Sequence, residues 1–294
     1  MGSPCALFFR GNNKKFNTAL AIKLESEIKR LENRYSRFLP DSITTQINRL
    51  SGTGNVMKVD KETASLLDYA QTCYKQSEGL FDITSGSLRM LWNYQDLSDK
   101  QSLPDESDIQ LALEKIGWGK VEFHNGSICL PVAGMEIDFG GIVKEYAADC
   151  VATIAEREGC VSGMVELGGD IRIFGVGIEA EKMPPWQIGI RDPFNTGHPH
   201  ALIDLHYGAL ATSGDYERYT IIQGKKYSHI LNPLTGWPVE GYSSVSVIAD
   251  QCVLAGTAAS LAVLKGENGE QWLRELGLPF LCIDPQGKAT GTIQ

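Results

Sequence analysis

The sequence predicts an α+β fold with mixed antiparallel sheets and flanking helices, on three observations. Apolar residues near the N-terminus recur at steps of three or four, the period of an amphipathic helix. Asn125-Gly126 sits between two alternating tetrapeptides, the pattern of a tight hairpin. Helical and strand-like segments then follow one another without the regular alternation that a doubly wound parallel sheet needs.

Element by element, Phe16, Leu20, Leu24, Ile28, Leu31, Tyr35 and Phe38 put one apolar stripe on a long first helix, with Lys, Arg and Glu opposite. A second helix fits 61–77, with Ala64, Leu67, Ala70 and Tyr74 inward, and a third fits 107–116, with Ile109, Leu113 and Ile116 inward. VEFH and SICL form the two arms of the hairpin around Asn125-Gly126. Residues 142–158 read as a helix, and 164–167 and 171–176 as strands around a Gly168-Gly169-Asp170 turn. Further strands fit 186–191, 201–207, 217–222, 226–231 and 243–249, with a turn near Gln223-Gly224. Helices over 252–265 and 269–276 and a strand over 279–283 follow. No linker, repeat or low-complexity tract divides the chain, so a second lobe has to be an insertion.

Composition bounds the function. Hydrophobic residues at 43% and charged residues at 21% of 294 belong to a folded globular chain. The 31 glycines and 12 prolines follow no G-X-Y period, which excludes collagen. Twenty-seven basic against 36 acidic residues leave a net charge of −9, which disfavours a nucleic-acid partner or an anionic membrane surface. No apolar run approaches the roughly 20 residues of a membrane span. The opening residues also lack the basic-then-apolar pattern of a signal peptide. The expected location is the cytoplasm, or an exported or lipid-anchored state if a leader was removed. Seven scattered cysteines without a CxxC pair argue against a zinc site or a disulfide framework.

Five glycine-punctuated stretches place Asp, His or Lys beside small residues: 81–88, 138–149, 165–171, 211–219 and 227–239. Taken singly, each reads as a turn before it reads as a site. Gly140-Gly141 leading into a helix that carries Lys144 is the most suggestive, because helix N-terminal N–H groups with a lysine one turn in suit a phosphate. Neither the Walker A spacing nor the GxGxxG fingerprint is present. His229 stands at a strand end before a turn, where catalytic groups commonly sit, whereas His198 and His200 read as solvated residues of a Pro-rich loop. A Ser213-His229-Asp215 triad has little support, since no GxSxG elbow exists.

In this order, FDITSGSLRMLW, DFGGIVKEYAAD, VELGGDIRIFG, ATSGDYERY and YSHILNPLTGWPV, preceded by MGSPC and SRFLPDSITTQINRL, resemble the FAD:protein FMN transferase (ApbE) family over nearly the whole chain. The resemblance implies a two-lobed flavin-transferase architecture related to the T-fold. Residues 1–294 would form one unit of two interleaved lobes, with FAD in the cleft between them. The implied reaction cleaves FAD and attaches FMN by a phosphoester to a Ser or Thr of a target flavoprotein, releasing AMP. By position, Phe38 would lie against the flavin and Met1 and Ile230 beside the same pocket. Leu80, Phe81 and Asp82 would hold the nucleotide, Asp138 its polar edge, and Lys144 the pyrophosphate. Asp215 and His229 would line the reacting end, either one as the general base.

The resemblance also implies Mg²⁺, held by the Gly141 carbonyl and by the helix after the strand at 243–249. On that helix the family's carboxylate position carries Gly256, followed by Ala259 and Ser260, so Ser260 alone keeps a side-chain oxygen. Three explanations stand: Asp250 or Thr257 supplies the missing ligand; FAD phosphates and water hold the ion with Gly141 and Ser260; or the chain is a non-catalytic FAD-binding or flavin-delivery protein. An FAD pyrophosphatase is a minor alternative. On this view Gly256→Asp restores the anchor. Glu145 stands where the family carries Gly, either adding negative charge beside the phosphate site or pointing to solvent.

Overall fold

A 22-residue helix, α1 (Lys14–Tyr35), runs where the apolar stripe predicts it, and Leu20, Leu24, Ile28, Leu31 and Tyr35 are its buried face. Asn13 caps it by accepting a hydrogen bond from the Phe16 N–H at 3.0 Å. The computed structural model describes residues 3–92, 97, 102–195, 197–216 and 218–293. Two shorter helices follow, α2 (Ile43–Asn48), capped by Ser42, and α3 (Lys61–Gln76), capped by Asp60. They are succeeded by α4 (Glu106–Leu113) and α5 (Val143–Arg157).

The main sheet is assembled from β1 (Cys5–Arg10), β5 (Ser162–Leu167), β6 (Asp170–Phe174), β9 (Gly208–Gly214), β12 (Ser244–Ala249), β13 (Phe280–Ile283) and β14 (Ala289–Gly291), neighbours in that order. Every neighbouring pair is antiparallel. The predicted hairpin is β3 (Glu122–His124) with β4 (Ser127–Cys129), joined by β2 (Met57–Lys58). The ribbon of β7 (Trp186–Arg191) and β8 (Pro199–Leu205) buries Trp186, Ile188 and Ile190 in strict alternation. These side chains pack on Ile173, Leu210, Leu281 and Ile283 of the main sheet. The chain also forms β10 (Tyr219–Ile222), β11 (Lys225–Ser228), α6 (Ile178–Lys182), α7 (Cys252–Leu264) and α8 (Gly269–Leu276).

Helix α7 has no polar face, and ten of its residues are buried. Such a helix has to be enclosed, and α7 lies between β9 and β12 on one side and α5 on the other. Its Ala255, Gly256, Ala258, Ala259 and Ala262 are small enough for that close approach. Helix α7 also lacks a side-chain cap of its own. Asp149 of α5 supplies one: its carboxylate accepts from the Cys252 N–H at 2.8 Å and the Val253 N–H at 2.9 Å, with Arg172 3.2 Å away. Asp149→Ala is therefore expected to cost about 2 kcal/mol, read as a thermal midpoint lower by roughly 4–8 °C.

The structure corrects several expectations. The stretch around Ala211–Gly214 reads as a turn in the sequence but lies within β9, between β6 and β12 at the centre of the sheet. Its small residues give no alternation because both faces are covered, and a Cβ on Gly214 would sit 2.3 Å from the Ser243 carbonyl oxygen. MGSPC, which by resemblance would be the opening strand, contributes only Cys5 among its described residues to the strand that runs on to Arg10. Phe38 lies past the end of α1, so it does not belong to the buried stripe.

Candidate active site

The loop after α1, the approach to α5, the β5–β6 turn, the far end of β9 and Gly256 and Ser260 of α7 converge on one cleft of about 1050 Å³. That is at the upper end of the range for small-molecule sites and large enough for a dinucleotide. Seven of the predicted site residues line it: Phe38, Asp138, Gly141, Lys144, His229, Ile230 and Ser260. Leu80, Phe81, Asp82 and Asp215 are not among its lining residues. Met1 lies outside the described residues.

Asp82 has a structural engagement that accounts for its place. Its buried carboxylate accepts from the Thr84 N–H at 2.8 Å, the Thr84 hydroxyl at 2.6 Å and the Trp118 N–H at 2.9 Å, tying two loops together. Phe81 is buried behind the wall, where its ring would meet a Cβ on Gly141 at 3.5 Å. Asp215 pairs with Lys226 of β11 at 2.8 Å.

At the cleft mouth Phe38 is 78% exposed, with the guanidinium of Arg37 4.8 Å and that of Arg89 5.8 Å from its ring centroid. Arg37 is ion-paired to Asp138, which also accepts from the Gly140 N–H at 2.9 Å and so shapes the turn into α5. Burial and the neighbouring Arg89 pull the Arg37 guanidinium down to about 10, which leaves it charged at neutral pH. Helix α5 begins without a side-chain cap, and its first residues, with Gly140 and Gly141, form one wall of the cleft.

Lys144 reaches across that wall to Asp170, with Nζ 2.5 Å from Oδ2, and lies 3.8 Å from Glu145 Oε1. Burial pulls its ammonium down, but Asp170 and Glu145 outweigh this and hold it above the ordinary lysine value. Asp170 is 2% exposed and also accepts from the Thr212 N–H at 3.1 Å. Glu145 does not point to solvent. It is 7% exposed, and a Cβ on Gly256 would fall 2.6 Å from its Cγ and 3.1 Å from its Oε1. Its Oε2 is buried without a hydrogen-bond partner among the described residues. Burial first, and then the Asp170 charge, push its carboxyl up to about 8.

The other proposed sources of a metal ligand lie elsewhere. Asp250 is exposed outside the cleft, and the Thr257 hydroxyl is bonded to Tyr69 at 3.0 Å. Ser260 Oγ donates to Ser213 Oγ at 3.4 Å on the cleft wall. Among the described residues no cluster of three or more His, Cys, Asp or Glu side chains is assembled for a metal. On the cleft lining the His229 backbone N–H and ring Nδ1–H both donate to the Arg218 carbonyl, at 3.2 and 3.0 Å. A carbonyl only accepts, so the neutral ring carries its lone pair on Nε2.

Sequence reasoning missed Arg37, Arg218 and Asp170 as cleft residues. Asp170 sits in a Gly-Gly-Asp turn whose local pattern is indistinguishable from an ordinary β-turn, and an isolated arginine has no spacing signature.

Comparison with known proteins finds relatives over most of the chain. The family model described as the ApbE family matches residues 1–282. A FAD:protein FMN transferase of Treponema pallidum is 31% identical over 263 residues, covering 83% of this chain and 71% of its own. Another, from Chlamydia pneumoniae, is 30% identical over 287 residues, covering 93% and 87%. Among solved structures, the ApbE protein of Thermotoga maritima aligns with a TM-score of 0.84 at 32% identity, over 96% of this chain and 91% of its own. The flavinyl transferase ApbE of Pseudomonas stutzeri, in its apo form, aligns with a TM-score of 0.85 at 25% identity, over 99% and 92%. With its motifs, fold and near full-length matches in agreement, the chain belongs to the ApbE family.

Proposed function

We propose that the protein is an FAD:protein FMN transferase. It cleaves the pyrophosphate of FAD and attaches FMN by a phosphoester to a Ser or Thr hydroxyl of a target flavoprotein, with release of AMP. One observation carries the reading: segments far apart in sequence bring Lys144, the start of α5, Phe38 and His229 into one cleft of dinucleotide size. Curated relatives over most of the chain bear the same activity as their name.

The chain works as one unit over residues 1–294, with FAD in a cleft between two interleaved lobes. Phe38, flanked by two guanidinium groups, offers a platform for a flat ring, and Ile230 lines the same cleft. The first turn of α5 and Lys144 meet the pyrophosphate; Lys144 keeps donors to spare, since one ammonium has three and Asp170 takes one. The acceptor hydroxyl oxygen bonds to the phosphorus on the FMN side, and the bond from that phosphorus to the AMP oxygen breaks. The hydroxyl proton passes to His229 Nε2, and AMP leaves with the electron pair of the broken bond. His229 lines the cleft and Asp215 does not, which favours His229 as the base.

The residues present fit Mg²⁺: Glu145, whose buried Oε2 has no partner among the described residues, lines the same cleft as the Ser260 hydroxyl and Gly141. The Gly141 carbonyl and Ser260 would hold the ion, and when bound it supplies positive charge against the pyrophosphate oxygens. Among the described residues no helix is long and apolar enough to cross a membrane.

The test is an incubation with FAD, Mg²⁺ and a flavoprotein acceptor domain, followed by chromatography of AMP, free FMN and acceptor-bound flavin. AMP appearing in step with acceptor-bound FMN is the expected result. AMP with free FMN alone identifies a pyrophosphatase, and unchanged FAD that co-elutes with the protein identifies a binding protein.

A further inference from the structure

Two buried carboxylates, Glu145 and Asp170, share one ammonium at the cleft floor. Asp170 is satisfied, by Lys144 at 2.5 Å and by the Thr212 N–H at 3.1 Å. Glu145 is not: its nearest cation is 3.8 Å from Oε1, and Oε2 is buried with no partner among the described residues. A buried carboxyl without a partner keeps its proton unless a cation from outside the fold balances the charge.

The space Glu145 occupies is itself a product of the sequence. Its side chain leaves α5 and lies against Gly256 of α7, where a Cβ would come within 2.6 Å of its Cγ. Any larger residue at 256 would have to share that space with Glu145. Glycine there and glutamate at 145 are thus one steric arrangement, and Glu145 lines the same cleft as Gly256, Ser260 and Gly141.

We propose that Glu145, seated in the space left by Gly256, is the anionic ligand of a divalent cation at the floor of this cleft. The carboxylate that α7 lacks is supplied from α5 instead. A hard divalent ion takes oxygen donors and is commonly anchored by one or two carboxylates, with substrate phosphates and water completing its shell. Naming the ion Mg²⁺ rests on the function proposed above; the site itself rests on the unpaired carboxylate and its glycine cradle. Gly256→Asp alone therefore does not restore an anchor, because the new side chain collides with the one already present.

The test uses the full chain and Mn²⁺ as a paramagnetic probe, with the free-ion signal titrated in the presence and absence of FAD. FAD binding without metal is followed in parallel by flavin fluorescence. The wild type is expected to take up one Mn²⁺ per chain, and Glu145→Gln to weaken uptake at least about tenfold while still binding FAD. Gly256→Ala keeps every charge but forces Glu145 aside, and is expected to weaken Mn²⁺ uptake in the same direction. The double variant E145G/G256D, which returns the carboxylate to α7 without the collision, is expected to recover it. Unaltered Mn²⁺ uptake in folded Glu145→Gln or Gly256→Ala overturns the proposal, and points to a Glu145 that only shares a proton with Asp170. Wild-type protein that binds FAD but no Mn²⁺ overturns it too, whereas failure to bind FAD at all counts against the proposed function.

Discussion

Lys144→Met is expected to reduce flavin transfer by a hundredfold or more and to lower the stability of the fold at the same time. Both effects come from one ammonium. Its Nζ lies 2.5 Å from Asp170, a carboxylate that is almost fully buried, and is also the nearest cation to Glu145. Methionine keeps the length and apolar stem of the side chain, so the change removes charge rather than packing. Breaking a buried pair by deleting one partner leaves the other charge stranded. The lysine side chain retains 29% of its exposure toward the cleft, so the cost is set at about 2 kcal/mol rather than at the upper end of the buried-pair range. The catalytic loss arises because pyrophosphate cleavage builds charge on the departing phosphate oxygens, and a fixed cation on the cleft wall is worth most there. Thermal unfolding and single-turnover transfer well below the midpoint separate the two effects. A lower midpoint with full transfer in the cold would confine Lys144 to holding Asp170.

What the sequence made legible follows the range of each physical signal. The stripe from Leu20 to Tyr35 is local, so α1 emerges from periodicity alone, and its end at Ser36 is missed only because Phe38 continues the count. Asn125, with φ of 51°, and Gly126, with φ of 69°, adopt the left-handed conformations that a tight hairpin requires, and that turn is where the sequence puts it. Strand β9 is invisible because a strand covered on both faces by close-packed neighbours has no alternation to read. The candidate site divides the same way. Gly140-Gly141 and Lys144 belong to one stretch of chain, and His229 to one strand end, so each could be picked out singly. Glu145 and Gly256 each look like a defect when read alone, one as stray charge and the other as a missing ligand. Only the packing of α5 against α7 shows that the absent Cβ and the added carboxylate occupy the same space.

His229→Ala is expected to lower kcat by two to four orders of magnitude while leaving FAD affinity nearly unchanged. His229 is held by two donations to a single carbonyl, that of Arg218, at 3.2 Å from its backbone and 3.0 Å from Nδ1. The ring is therefore oriented, and its neutral tautomer is fixed with the basic nitrogen at Nε2. A base of this kind acts only as the acceptor hydroxyl loses its proton, so its removal falls on kcat and kcat/KM alike rather than on the binding of FAD. Asp215 provides the internal control. It stands outside the cleft lining and is paired to Lys226 at 2.8 Å, so Asp215→Asn is expected to reduce transfer by less than about tenfold. Steady-state kinetics on the two variants, with FAD binding followed by flavin fluorescence, distinguish the assignments. Should Asp215→Asn lose the larger factor, the proton passes to the carboxylate, and the hairpin of β10 and β11 that carries Lys226 has to move for it to do so.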